Sequence, residues 1–292
     1  MFGEDGGWIM LSPLYIRESV RRFLNEDWHL GDISVPDVPE FHRVVRGEFI
    51  AKDEGILAGS IFAKYFYEEI SRSVNIVWHV VDGEGFRIGD VLGYIEGPAY
   101  ALLMVERAYL NLLQRLSGIA TATYRFVSSL PPRFTLLDTR KTTPGLRLFE
   151  KYASWIGGAT NHRLTLMDAV MIKDNHIMVF GSITRAVEVI RGYVPYTAKI
   201  EVECETPDMV LEAAGLGVDI IMLDNMSDED ILRSIEIVRD VSPSTVIEIS
   251  GGITPERVKG LASHGVKDVY ISSSSPVTKS TWLDISFEVM ER

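Results

Sequence analysis

Beyond Pro131 and Pro132 the chain repeats one pattern, a short apolar run followed by an amphipathic stretch. The apolar runs fall at 134–137, 169–172, 199–203, 219–223, 245–249 and 268–271, and helical periodicity fills 183–190, 208–214, 229–238 and 256–262 between them. A strand that runs parallel to its neighbour needs a long crossover, which a helix supplies. Strand alternating with helix at roughly twenty to thirty residues therefore predicts repeated βα units, most simply a barrel. In such a fold the chemistry sits at the C-terminal ends of the strands. Charged or polar clusters stand at those ends: DTRKTTPGLR (138–147), HR (162–163), KDNH (173–176), EVE (201–203), LDN (223–225) and ISGG (249–252).

The earlier part of the chain lacks this regularity. Residues 14–24 have helical spacing, with Ile16, Val20, Phe23 and Leu24 on one face and Arg17, Arg21 and Arg22 between. Strand and turn are expected over 46–58, an aromatic-rich helix over 61–70, and strands at 76–81 and 91–96. A long helix is expected over 99–130, with Leu102, Leu103, Leu110, Leu113, Leu116 and Ile119 on its apolar face, bridging two domains. The last stretch, 282–289, alternates Leu283, Ile285, Phe287 and Val289 with polar residues, which reads as a half-buried strand returning to the first domain's sheet.

Composition limits the function classes. A chain of 292 residues can bury a full core, and 46% hydrophobic with 24% charged residues is ordinary for a globular protein. No apolar run reaches the twenty or so residues that span a bilayer. The net charge of −12 argues against a general nucleic-acid binder, so any anion must be held by locally focused cations. The N-terminal MFGEDGGWIM carries acids where a secretory signal would be basic, and the lone Cys204 has no partner for an internal disulfide; both fit a cytoplasmic enzyme.

Each cluster can be read in two ways. Arg140 offers a planar fork for carboxylate or phosphate and Lys141 a mobile point charge, although a lone Arg-Lys pair is also a solvated turn. Glu203 and Asp224 end neighbouring strands and suit a divalent metal or a developing positive charge; alone they would read as strand-end ion pairs. Facing Arg140, Lys141, Arg163 and Lys173, the mixed-sign rim fits a substrate bearing phosphates and a metal. Ser250, Gly251 and Gly252 can present backbone N–H groups to a phosphate, or form a plain turn. No histidine spacing resembles a zinc site; His176 reads as a hydrogen-bonded loop residue and His162, beside Arg163, as the functional candidate.

ERAYLNLLQRLSGIAT (106–121), DTRKTTPGLR (138–147), EKYASWIGGATNHR (150–163), KDNHI (173–177), KIEVECE (199–205), IIMLDNM (220–226) and EISGGIT (248–254) together resemble the quinolinate phosphoribosyltransferases, as do EDWHLGDIS (26–34) and LDISFEV (283–289). The resemblance implies an N-terminal α/β sandwich domain over 1–115, joined by 276–292, and an open seven-stranded α/β barrel over 116–275. It implies quinolinate and phosphoribosyl pyrophosphate as substrates, Mg2+ as cofactor, nicotinate mononucleotide, CO2 and pyrophosphate as products, and a place in de novo NAD biosynthesis. Neither nucleic acid nor membrane enters. The implied assembly is a homodimer, or a hexamer built from it, with an active site shared across the interface.

By matching residues, Arg140, His162, Arg163 and Lys173 would hold the quinolinate carboxylates and the pyrophosphate side, with Lys141 sharing the task and Arg107 reaching in from the partner. Glu203 and Asp224 would serve magnesium and the ribose, and Ser250, Gly251 and Gly252 the 5′-phosphate. With Lys141 and Lys173 these two acids form the expected catalytic set. The chain departs from the family at Thr165, where Gly is common, and at SSSSPVT (272–278), where a Gly-containing turn is usual, so Ser272, Ser273 and Ser274 are the expected phosphate contacts there. A nicotinate-using enzyme, a molybdenum-uptake-linked paralogue and a non-catalytic phosphosugar-binding protein are the alternatives, together with an aldolase-like barrel using Lys141 or Lys173 as a Schiff base. The intact KDNH and HR strings favour the quinolinate enzyme.

Overall fold

The computed structural model describes residues 11–28 and 31–290. The acidic start of the chain and His29-Leu30 of the EDWHLGDIS string lie outside the described residues. Two compact units result: Met1–Tyr124 with Thr143–Gly158 and Lys279–Arg292, and Arg125–Thr142 with Ala159–Thr278. The stretch Thr143–Gly158 groups with the first unit.

The first unit holds helices α1 (Pro13–Trp28), α2 (Pro39–His42), α3 (Ala63–Glu68), α4 (Ala99–Ser128) as far as Tyr124, and α5 (Arg147–Ile156). Its strands are β1 (Val44–Ala51), β2 (Gly55–Ile56), β3 (Asn75–Trp78), β4 (Gly85–Phe86), β5 (Val91–Pro98) and, from the end of the chain, β12 (Ile285–Met290). Four of them form an antiparallel sheet in the order β12-β1-β5-β3, and β2 pairs with β4. Phe49 of β1 lies opposite Phe287 of β12, with ring centroids 5.0 Å apart. That pairing of two buried or half-buried aromatic faces secures the returning strand.

Helix α4 is rich in Ala, Leu and other strong helix formers, and buries Leu102, Val105, Tyr109, Leu113 and Leu116. Leu103, placed on the apolar face by spacing, is exposed instead; the buried stripe runs through Leu102 and Val105. Gly118 answers a close approach: a Cβ there would lie 2.0 Å from the Thr281 carbonyl oxygen. The helix also satisfies loop backbone, since Thr121 Oγ1 accepts from the Ile56 amide at 2.8 Å and Ser117 Oγ from Ala58 at 3.2 Å.

The second unit contains β6 (Phe134–Leu137), β7 (Val170–Ile172), β8 (Ile200–Cys204), β9 (Ile220–Asp224), β10 (Val246–Ser250) and β11 (Val269–Ser272). They form one parallel sheet in the order β6-β11-β10-β9-β8-β7, so the first and second strands in sequence end as the two edges, as in an opened barrel. The named strands number six where the resemblance implies seven; beyond β6 the sheet is extended by an isolated parallel bridge, Leu137 to Thr160. Between and after the strands lie α6 (Asp174–Phe180), α7 (Ile183–Arg191), α8 (Pro207–Gly215), α9 (Asp228–Val241), α10 (Pro255–Ser263) and α11 (Ser275–Thr278). Ser182, Thr206, Ser227 and Thr254 cap α7 to α10, each accepting from the amide three residues on.

Most strands of the sheet run one residue later than their apolar runs, because polar ends such as Asp224 and Ser250 still pair in the ladder. Side chains alternate across the sheet. Val202, Cys204, Ile221, Leu223, Ile247, Ile249 and Ile271 point into the core shared with Val210, Ile231, Val238 and Val258 of the helices. The residues between them face the barrel interior, and there the polar set collects.

Candidate active site

A cavity of about 310 Å³ opens at the C-terminal strand ends. Arg140 and Lys141 enter it from the loop after β6, Lys173 from the end of β7, Glu203 from β8, Asp224 from β9, Ser250 from β10 and Ser272 from β11, with His162 and Arg163 from the segment after the isolated bridge. Seven elements or loops thus converge, which follows from parallel strands ending on one rim. A larger hollow of about 540 Å³ lies in the first unit beside Arg22, Arg115 and Trp282. It gathers fewer convergent charged groups, and the strand-end cavity is the better reaction site.

Lys173 Nζ meets Glu203 Oε2 at 2.6 Å. Asp224 Oδ2 accepts from the side-chain amide of Asn225 at 2.6 Å. Arg140 Nε is buried and has no hydrogen-bond partner among the described residues, an orphaned donor of a charged group. Burial holds Arg163 below its ordinary value, and the neighbouring Arg140 guanidinium adds to the effect. An unpaired donor beside two mutually repelling guanidinium groups is an arrangement that an anion completes.

His162 is fixed on every polar edge. Its amide donates to Asp138 Oδ1 at 2.9 Å, Nδ1 accepts from the Arg163 amide at 2.7 Å, and Nε2 stands 3.2 Å from both Glu201 Oε2 and Glu248 Oε2. Burial pulls the ring's pKa down, but the two carboxylates outweigh it and leave it raised to about 9. The Arg163 amide favours an unprotonated Nδ1 while the carboxylates favour an imidazolium; in both cases Nε2–H faces the acids, and that orientation is what the geometry secures. Burial also pushes the Glu201 carboxyl up, His162 opposing and Glu248 adding to the shift. The three donor atoms lie within 4.8 Å of one another, a spacing that could hold a divalent ion, and here the imidazole bridges the carboxylates itself.

Gly251 and Gly252 both take positive φ, 83° and 60°, and a Cβ on Gly251 would stand 2.3 Å from Asn225 Oδ1. Only glycine fits at 251, where the chain doubles back beside the LDN loop. Arg257 ties the two loops together: Nη1 donates to the Gly251 carbonyl at 2.9 Å, Nη2 to the Met226 carbonyl at 2.6 Å, and Nε to Asp228 at 2.8 Å. After β11, Ser273 Oγ lies 3.0 Å from Ser275 Oγ at the start of α11, so serine hydroxyls and a short helix stand where the resemblance places a Gly-containing turn in the family.

Ser250 and Ser272 line the cavity, whereas Gly251, Gly252, Ser273 and Ser274 are not among its lining residues. Arg107 stands on α4 of the first unit, 63% exposed and 3.9 Å from Glu106, and does not line the cavity. His176 Nδ1 accepts from the Lys173 amide at 3.0 Å and caps α6. Sequence reasoning gave no individual role to Asp138, Glu201, Glu248 or Arg257, although the first three fall within the strings quoted. For the two glutamates a signal existed: each lies two residues before a strand-end polar residue, Glu203 or Ser250, and so shares its inward face.

These features define a two-unit α/β protein with a cation-rich cavity on the C-terminal rim of a parallel sheet. Models of the N-terminal and C-terminal domains of quinolinate phosphoribosyl transferase match residues 38–117 and 119–288. A probable nicotinate-nucleotide pyrophosphorylase (carboxylating) of Synechocystis is 41% identical over 97% of this chain and 94% of its own length. The corresponding Bacillus subtilis protein is 38% identical over 96% and 95%. The crystal structure of NadC from Streptococcus pyogenes superposes with a TM-score of 0.87 at 38% identity, covering 97% of this chain and all of that one. The chain belongs to the quinolinate phosphoribosyltransferase family.

Proposed function

We propose that this protein is a carboxylating nicotinate-nucleotide pyrophosphorylase, joining quinolinate to phosphoribosyl pyrophosphate in de novo NAD biosynthesis. The observation that carries the reading is the buried, unpartnered Arg140 Nε beside Arg163, in a cavity that also holds Lys141 and Lys173. Quinolinate brings two carboxylates, and phosphoribosyl pyrophosphate adds further negative charge. The pyridine nitrogen attacks ribose C1, and pyrophosphate leaves with the electrons of the broken bond. The carboxylate next to the nitrogen then departs as CO2; the positively charged ring takes up the electron pair, and a proton replaces the lost group.

Arg140 and Arg163 supply forks for carboxylates, and Lys141 and Lys173 supply point charges for phosphate oxygens. Glu203 and Asp224 face the positive charge that develops at ribose C1. Their carboxylate oxygens at neighbouring strand ends also suit a hard cation such as magnesium, with Lys173 now paired to Glu203 where the ion would add its charge. Bound there, magnesium would neutralise the pyrophosphate leaving group. The exposed Arg107, outside the cavity of its own chain, supports a dimer in which it serves the partner's site. No helix among the described residues is long and apolar enough to cross a membrane, and the acidic composition with one buried cysteine supports a cytoplasmic setting.

The test is an assay of quinolinate and nicotinate, each with phosphoribosyl pyrophosphate, following CO2 and nucleotide. Quinolinate should turn over and release CO2, and nicotinate should be poor, because a site with donors for two carboxylates leaves cations unpaired when one arrives. Removing divalent ions with a chelator should stop turnover and added Mg2+ restore it. Efficient use of nicotinate alone would refute the substrate assignment, and full activity in chelator would refute the role of magnesium.

A further inference from the structure

The carboxylates beneath His162 have no part in the reaction as derived so far. Glu201 and Glu248 are 0% and 1% exposed, and among the described residues both oxygens of Glu201 and Oε1 of Glu248 lack a well-formed hydrogen bond. Two buried acids 3.2 Å from one imidazole are costly unless they offset something. What they face is the cationic rim: His162, Arg163 and Glu248 border both the strand-end cavity and a second hollow of about 330 Å³ at the N-terminal strand ends.

We propose that Glu201 and Glu248 are positioning residues for the quinolinate carboxylates, acting through His162. Resting on the proposed activity, the inference assigns them two effects. They lock the imidazole through Nε2, 3.2 Å from each carboxylate, so the segment carrying the neighbouring Arg163 fork cannot turn away. The negative charge of Glu201, together with that of Asp168, also offsets the repulsion between Arg163 and Arg140 before substrate arrives, so the cations are already gathered when a dianion enters. The groups facing the ring are Glu201 on β8, Glu248 on β10, Asp138 after β6 and Arg163 on its own segment; Lys199 and Asp168 line the hollow below.

The experiment compares wild-type protein with Glu248→Gln, varying quinolinate and phosphoribosyl pyrophosphate separately across pH. Wild-type turnover of quinolinate tests the activity on which the inference rests, and the variant tests the inference. The quinolinate KM should rise roughly tenfold, as when the partner behind a ligating histidine is removed. The phosphoribosyl pyrophosphate KM and kcat should change little. His162, raised to about 9, should keep its proton through neutral pH and lose it above, so the wild-type quinolinate KM climbs at alkaline pH. In Glu248→Gln one of the acids that raises the ring is gone, and the climb should begin at lower pH.

Unchanged quinolinate KM and pH profile in a folded Glu248→Gln, or equal loss for both substrates, would overturn the proposal. So would one tightly bound divalent ion in wild-type protein that the variant lacks, which would make the cluster a metal site. If the variant does not fold, histidine 15N NMR of wild-type protein decides, with His162 identified by its absence in His162→Asn: a ring titrating near the ordinary value of about 6.5 defeats the proposal.

Discussion

The chemistry of this site rests on which polar atoms the chain leaves unsatisfied. Lys173 has Glu203, His162 has two glutamates, and Asp138 holds the amides of Asn161 and His162, yet Arg140 Nε is buried with no partner. A charged donor in that state is destabilising in the empty protein and becomes useful when a carboxylate arrives. Arg140→Lys keeps the charge and loses the planar fork. Its quinolinate KM should rise roughly tenfold or more, about 1.4 kcal/mol, with a smaller change for phosphoribosyl pyrophosphate, measured by initial rates with each substrate varied. Equal changes for both substrates would remove Arg140 from the carboxylate site. DTRK marked this residue as an anion ligand from its composition, but only burial distinguishes it from the exposed Lys141 beside it.

Among the elements, the long regular ones were legible and the short charged ones were not. Helices α7 to α10 fall within a few residues of their expected bounds, since each buries one stripe and begins at a capping Ser or Thr. Helix α5 escaped because Glu150 and Lys151 are fully buried, which breaks the apolar pattern that periodicity reads. Helix α6 escaped because none of its residues is buried. Glu150 is buried for a reason: it accepts from Arg115 Nη2 at 2.8 Å on α4 and from the Thr143 amide at 2.8 Å, fastening the end of the DTRKTT loop within the first unit. Arg115→Ala would leave that carboxylate short of its charged partner and should cost about 3–5 kcal/mol. Urea unfolding followed by fluorescence would register the loss, and a change under 1 kcal/mol, roughly what an exposed pair contributes, would show that the pair is solvated.

For the whole molecule the open question is how many chains make a site. Arg107→Ala and Lys173→Ala should each be inactive, and a mixture that has exchanged subunits should recover up to about a quarter of wild-type activity, because half the dimers are then mixed and each holds one intact site. Recovery is read after mixing, with exchange verified by differently tagged chains. Background activity despite demonstrated exchange would place Arg107 outside the partner's site.

Local sequence determined the parallel βα repeat, the rim on which polar residues gather and the returning strand β12. Each follows from periodicity, which is a property of neighbours along the chain. The motif strings added the family and its substrates. Tertiary structure alone decided that Leu103 stays in solvent, that Thr143–Gly158 packs with the first unit, and that Glu201 and Glu248 meet His162 beneath the site. Those outcomes depend on contacts between residues far apart in the chain, such as His162 with Glu248, 86 positions on, whose cost or benefit appears only when burial removes water from both.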